Sequence, residues 1–223
     1  MHRLHRLLLA LAWGNFALHG VALGLSWFGL RPGSVAAPLA ERMAFLAARP
    51  AAWSWGWGVW MLCTFLLVGY MAVLLRLLPE RSAAAQLALV LTAAGMAADL
   101  LCDVIQMQVL PLVAAADPPE IALFLAFERL AFTGGATVAN GLYTAGVLLM
   151  TLRLRGLVGT PANLAGWATA VSGSTMALAG LLASPELLMA STGPTIGFYG
   201  VWTVLVARDF AGKAGDKAGG KAG

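Results

Sequence analysis

Six times along this chain an apolar run goes on for about 20 residues or more, at least the length of helix that crosses some 30 Å of hydrocarbon. The runs cover about residues 7–28, 53–75, 83–113, 120–152, 161–183 and 186–207. Inside a bilayer each backbone amide must be satisfied within its own segment, so runs of this length fold as helices. The fold class that follows is all-α: a polytopic membrane bundle of six transmembrane helices, residues 1–209, with a tail after it. Composition agrees, since 60% of residues are hydrophobic and 11% are charged, against about 25% charged in soluble domains.

The net charge of +4 does not point to nucleic acid. The basic residues stand at the ends of apolar runs, not on one face. With the N-terminus in the cytoplasm, ten of them fall inside: Arg3, Arg6, Arg76, Arg81, Arg153, Arg155, Arg208, Lys213, Lys217 and Lys221. Three fall outside: Arg31, Arg42 and Arg49. This bias places both termini in the cytoplasm. The basic start and apolar first run also fit a signal peptide, but the run is long and lacks a clear small-residue cleavage site. An uncleaved first helix is expected.

Between the first two runs, Leu39, Met43 and Leu46 recur on one helical face with Glu41 and Arg42 opposite. A short amphipathic helix follows, lying either in the membrane interface or as a lid over the bundle mouth. Trp53, Trp55, Trp57 and Trp60 open the second span. Tryptophan favours the headgroup level, so they read as an aromatic belt, with ligand stacking as the alternative. The fifth run is rich in small residues, Gly166, Ala170, Gly173, Ala177 and Gly180, which let helices approach closely in lipid. Pro194 in the sixth removes one helical hydrogen bond and predicts a kink. Residues 210–223, built from Gly, Ala, Lys and Asp, have little apolar surface to bury and predict a disordered cytoplasmic tail. Cys63 and Cys102 fall at different depths within spans, which argues against a disulfide.

The third and fourth runs carry buried charge. Asp99, Asp103 and Gln106 share one helix face; Arg129, Thr133, Ala136, Asn140 and Tyr143 share another. Asn15, His19, Ala22 and Ser26 make a third stripe. Counting at about 1.5 Å per residue places His19, Asp99, Asn140, Ser172 and Thr195 near mid-bilayer. An intramembrane charge costs about 2.5–3.5 kcal/mol at the helix centre, so these stripes should face one another. The candidate ligand-binding set is His19, Asp99, Asp103, Gln106, Glu128, Arg129, Asn140 and Tyr143. Two carboxylates four residues apart repel when both are ionised, so one is expected to hold a proton. Arg129 is a candidate partner for Asp103, or alternatively for Glu128. The bland alternative is polar glue between helices, and Asn15, Ser172 and Thr195 suit that role best.

The residues name no cofactor, catalytic group or metal centre. A single intramembrane histidine argues against bis-histidine haem, and all three lysines lie in the tail, so a retinal Schiff base has no lysine within the spans. No phosphate-binding loop or nucleophile elbow is present. The stretch Gly95-Met-Ala-Ala-Asp99-Leu-Leu-Cys-Asp103-Val-Ile-Gln106, followed by Ala139-Asn140-Gly141-Leu142-Tyr143, resembles bacterial multi-pass membrane proteins of about this size that form a family of unassigned function. The resemblance implies six helices and a bacterial inner membrane, and carries no activity. Three functions stay open: binding or moving a small or lipidic ligand, service as an accessory subunit beside membrane-protein partners, and lipid modification with an aspartate as acid or base. Whether the chain is an enzyme is left open with them. Membrane lipids are partners in each case, and nucleic acid in none.

Overall fold

The computed structural model describes residues 2–80 and 82–219, with side chains as far as Lys213. Its secondary structure is helical throughout. Helix α1 runs His2–Gly24 and ends in a π-helical turn, Leu25–Gly29. A short helix α2, Leu39–Ala48, precedes α3, Pro50–Leu77. Helix α4, Ala83–Val104, continues through a π-turn at Ile105–Val109 into α5, Leu110–Ala114. Helix α6, Ile121–Thr133, likewise passes through a π-turn at Gly134–Ala139 into α7, Asn140–Arg153. Helices α8, Thr160–Leu181, and α9, Pro185–Gly219, complete the chain.

Four of these segments are long and apolar enough to cross a membrane: His2–Gly29, Pro50–Leu77, Ala83–Ala114 and Ile121–Arg153. Helices α8 and α9 are not among them, because glycine and hydroxyl residues dilute their apolar content. Large side chains such as Phe28, Trp55, Leu112 and Leu181 stand exposed on the bundle's outside. Such a surface suits acyl chains and not water.

The long helices close into a ring: α1 packs on α3, α3 on α4, α4 on α7, α7 on α8, α8 on α9 and α9 back on α1. Local chemistry sets the ends. Ser82 accepts the Ala85 amide at 3.2 Å as the cap of α4, and Pro50 and Pro161 occupy first turns, where a missing N–H costs nothing. Gly156 takes a φ of 75° in the turn after α7, a conformation that favours glycine. The Asp209 carboxylate accepts the Gly159 amide at 2.7 Å, tying α9 to the start of α8.

The seam between α7 and α8 shows what the small residues do. A Cβ on Gly166, Gly173 or Gly180 would run into Thr151, Thr144 or Thr137 respectively. Both series step by seven residues in opposite directions, so the antiparallel contact repeats in phase. Seven residues is close to two helical turns, which keeps each glycine on the same face. Thr137 adds an interhelical hydrogen bond to the Ala177 carbonyl at 3.1 Å.

Two apolar clusters fill the ring's ends. One holds Leu8, Tyr70, Leu74, Met150, Trp202 and Val206 near the termini. The other, at the opposite end, holds Leu30, Met43, Leu46, Trp53, Leu110 and Phe124. Here α2 turns Met43 and Leu46 onto the bundle, packing against α5 and α3. Helix α9 runs on to Gly219 without a break at Pro194. Near its end Phe210 is buried and the Lys213 ammonium donates to the Leu157 carbonyl at 2.6 Å. Of the expected disordered tail, residues 210–223, the last four lie outside those described.

Candidate functional site

Between the two apolar clusters the ring encloses a cavity of about 300 Å³. All six long segments contribute to its wall: His19 from α1, Thr64 from α3, Asp99 and Asp103 from α4, Tyr143 from α7, Thr169 from α8, and Thr195 and Tyr199 from α9. Of the expected set, His19, Asp99, Asp103, Gln106, Glu128, Asn140 and Tyr143 line this one space, and Arg129 does not.

The exception has a geometric cause. A continuous α-helix would align Arg129 with Asn140 and Tyr143. The π-turn at Gly134–Ala139 inserts extra backbone and rotates the preceding helix by about 100°, one residue's worth. The inward face of α6 therefore carries Phe124, Glu128 and Ala131, all buried, while Arg129 is exposed. Neither expected pairing of Arg129 forms. Glu128 is met instead by Arg42 of α2, at 2.8 Å and with both side chains largely buried. A second Arg42 nitrogen donates to the Ala37 carbonyl at 2.6 Å. Arg42 thus pins α2 over one end of the cavity.

The second π-turn does more than shift phase. It frees the Gln106 carbonyl, because Leu110 donates to Ile105 instead, and Pro111 leaves the Met107 carbonyl without its usual donor. Helix α3 supplies both missing partners: the Trp53 indole donates to Gln106 at 2.7 Å and the Ser54 hydroxyl to Met107 at 2.7 Å. At the other π-turn the Asn140 amide donates to the Gly135 carbonyl at 2.8 Å. Buried backbone groups need such partners, and here the irregular turns are held by Trp53 and Asn140 of the cavity wall and by Ser54 beside it.

The tryptophans divide accordingly. Trp55 faces outward. Trp53 is buried, so the belt reading fails for it, and Trp57 and Trp60 join it on the cavity side. The spacing 53, 57, 60 is itself the signal of one helical face. Trp53 packs edge-on against Trp57 at 5.8 Å and Phe45 at 6.3 Å; the Trp60 indole donates to the Ser26 hydroxyl at 2.9 Å. Tyr199 also escaped notice in the sequence, although Thr192 and Thr195 precede it on the same helical face and line the cavity with it.

The polar wall is partly satisfied and partly not. His19 donates from Nδ1 to the Asn15 carbonyl at 2.9 Å, which leaves Nε2 as the ring's acceptor. Its ring meets Tyr199 edge-on at 5.5 Å and Trp60 at 6.2 Å. The Tyr143 hydroxyl donates to Asp99 Oδ2 at 3.1 Å. Asp103 is 1% exposed and its Oδ2 has no hydrogen-bond partner. The buried Trp57 indole N–H is unpartnered too. Among the described residues the ion pairs are Arg42–Glu128 and Arg153–Glu80, so no cation stands against Asp99 or Asp103.

Other polar groups serve the bundle. The Asn15 amide donates to the Leu11 and Leu66 carbonyls, at 2.9 and 3.0 Å, and its Oδ1 accepts from Tyr199 at 3.4 Å. Ser172 and Thr195 return their hydroxyls to their own helices, at Ala168 and Ser191. Cys63 and Cys102 are free thiols.

The chain matches no known protein family, no curated protein and no solved structure. The site's chemistry is therefore argued from its geometry. Among the described residues no cluster of three or more His, Cys, Asp and Glu is placed to hold a metal ion. What the geometry offers is a partly open space with an aromatic wall, an acidic side, and hydrogen-bonding groups left over.

Proposed function

We propose that the chain is a six-span protein of a bacterial inner membrane, with both termini cytoplasmic, and that its cavity binds or moves a small or lipidic ligand. In this reading α8 and α9 cross the bilayer with the four more apolar segments, since they complete the ring. The positive-inside bias supplies the orientation, and α2 lies at the outer interface. The observation that carries the functional part is the convergence of six segments on one cavity whose wall keeps Asp103 buried and unpartnered. Polar glue alone would satisfy its own members, since an unmet buried group costs about 1–3 kcal/mol.

The test is thermal stabilisation of the purified protein by a panel of membrane lipids and small amphiphiles. At least one is expected to raise the melting temperature, and Asp99→Asn with Asp103→Asn is expected to abolish that rise. A shift that survives the double substitution for every binding ligand would remove the cavity from the explanation.

A further inference from the structure

Resting on that proposal, we infer that the cavity's ligand is an amphiphile whose head is an ammonium group, held by Asp103 and Asp99 against the tryptophan wall. Three independent features define the head. First, Asp103 offers a buried oxygen with no partner, at the cavity wall. Second, one turn away on the same face, Asp99 has one oxygen occupied by the Tyr143 hydroxyl, and among the described residues no ion pair reaches either carboxylate. Third, Trp53, Trp57 and Trp60 place three indoles on the facing helix. Aromatic faces attract cations through their quadrupole, and an acidic group beside them adds to the attraction. Arg42 does not compete, since it is engaged by Glu128, and Arg31, which also lines the cavity, makes no ion pair with either carboxylate.

The apolar body has its own place. Toward the flank between α1 and α9 the lining changes to Leu23 and Trp27 on one side and Leu188, Met189 and Ile196 on the other. Trp27, 39% exposed, belongs to this part of the lining. The final turn of α1 packs chiefly on α1 itself, α3 and the following loop, not on α9. A chain entering from the lipid between these segments would reach the carboxylates head first. Both a lipid with an amine headgroup and a free alkylammonium fit this chemistry.

The experiment compares dodecylammonium, dodecanol and a lysolipid with an ethanolamine headgroup, titrated against the full chain in nanodiscs and followed by tryptophan fluorescence. Dodecylammonium is expected to bind more tightly than dodecanol. Asp103→Asn should weaken it by about tenfold to a hundredfold, the equivalent of one charge-assisted contact, while leaving dodecanol unchanged. Asp99→Asn and Trp57→Leu provide the same comparison should Asp103→Asn fail to fold. Saturable binding of the lysolipid assigns the headgroup to a membrane lipid; binding of dodecylammonium alone assigns it to a free amine. Equal affinity for dodecylammonium and dodecanol, or ammonium binding that none of the three variants weakens, overturns the inference while the cavity reading stands. If no probe binds, both fall.

Discussion

Replacing Gly173 by alanine sets a methyl group against the Thr144 side chain. An ideal Cβ would lie 3.2 Å from Thr144 Cβ and Cγ2, and nearer still to its Oγ1. Something must shift, and overpacking of this kind costs about 1–3 kcal/mol. Alanine also gains about 0.8–1 kcal/mol of helix propensity over glycine, which masks part of the loss. Gly141→Ala separates the two effects, since its Cβ would meet only Ala177 Cβ at an ordinary 3.7 Å. The difference between the two variants is therefore the clash itself, expected at about 1–3 kcal/mol. Adding Thr144→Ala to Gly173→Ala removes Oγ1 and Cγ2, leaving only the 3.2 Å contact with Cβ, and should recover most of it. Reversible unfolding in mixed micelles, followed by the fluorescence of the eight tryptophans, measures all four proteins. If Gly173→Ala and Gly141→Ala differ by less than about 0.5 kcal/mol, within the error of additivity, or if Thr144→Ala brings no recovery, the seam is not packed as described.

Three further outcomes are expected. Arg42→Met or Glu128→Gln alone should destabilise by about 3–5 kcal/mol, because each strands a largely buried charge, while the double variant should lie much nearer the wild type; the same unfolding assay, run as a double-mutant cycle, measures the coupling. Trp53→Phe removes the donor to the Gln106 carbonyl and should cost about 1–3 kcal/mol, whereas Trp55→Phe, on the outside, should be nearly neutral in the same melts. Asp209→Ala uncaps α8 and should cost about 0.5–2 kcal/mol, with amide exchange rising first near Gly159.

The helical segments were legible because hydrocarbon thickness leaves little freedom: the third run, expected at 83–113, is found at Ala83–Ala114, and the fourth, expected at 120–152, at Ile121–Arg153. The inward faces of α1 and α4 were equally legible, since regular periodicity holds up to Asp103 and puts His19, Asp99 and Asp103 on one cavity. Periodicity fails where the backbone changes pitch. Nothing in a 3.6-residue count announces the π-turn at Gly134–Ala139, so the phase of α6 was read one residue off and Arg129 took the place that belongs to Glu128. Arg42 could not be found at all from spacing, because its partner lies 86 residues away. Spacing alone left the tryptophans between a belt and a ligand wall, since both use the same residue type; the direction of each ring puts Trp55 outside and Trp53 inside.

The indexed seam of α7 and α8 has a mechanical corollary. Teeth meshed at three levels resist sliding and twisting alike, so these helices would travel as one strut through any conformational cycle. Compliance is left to the seam between α1 and α9, where α1 ends in a loosened turn and α9 carries two glycines, Gly193 and Gly197, with empty space beside them. A pair of spectroscopic labels on Leu23 and Met189 should therefore change separation when a ligand enters, while labels on Leu149 and Leu164 should hold still.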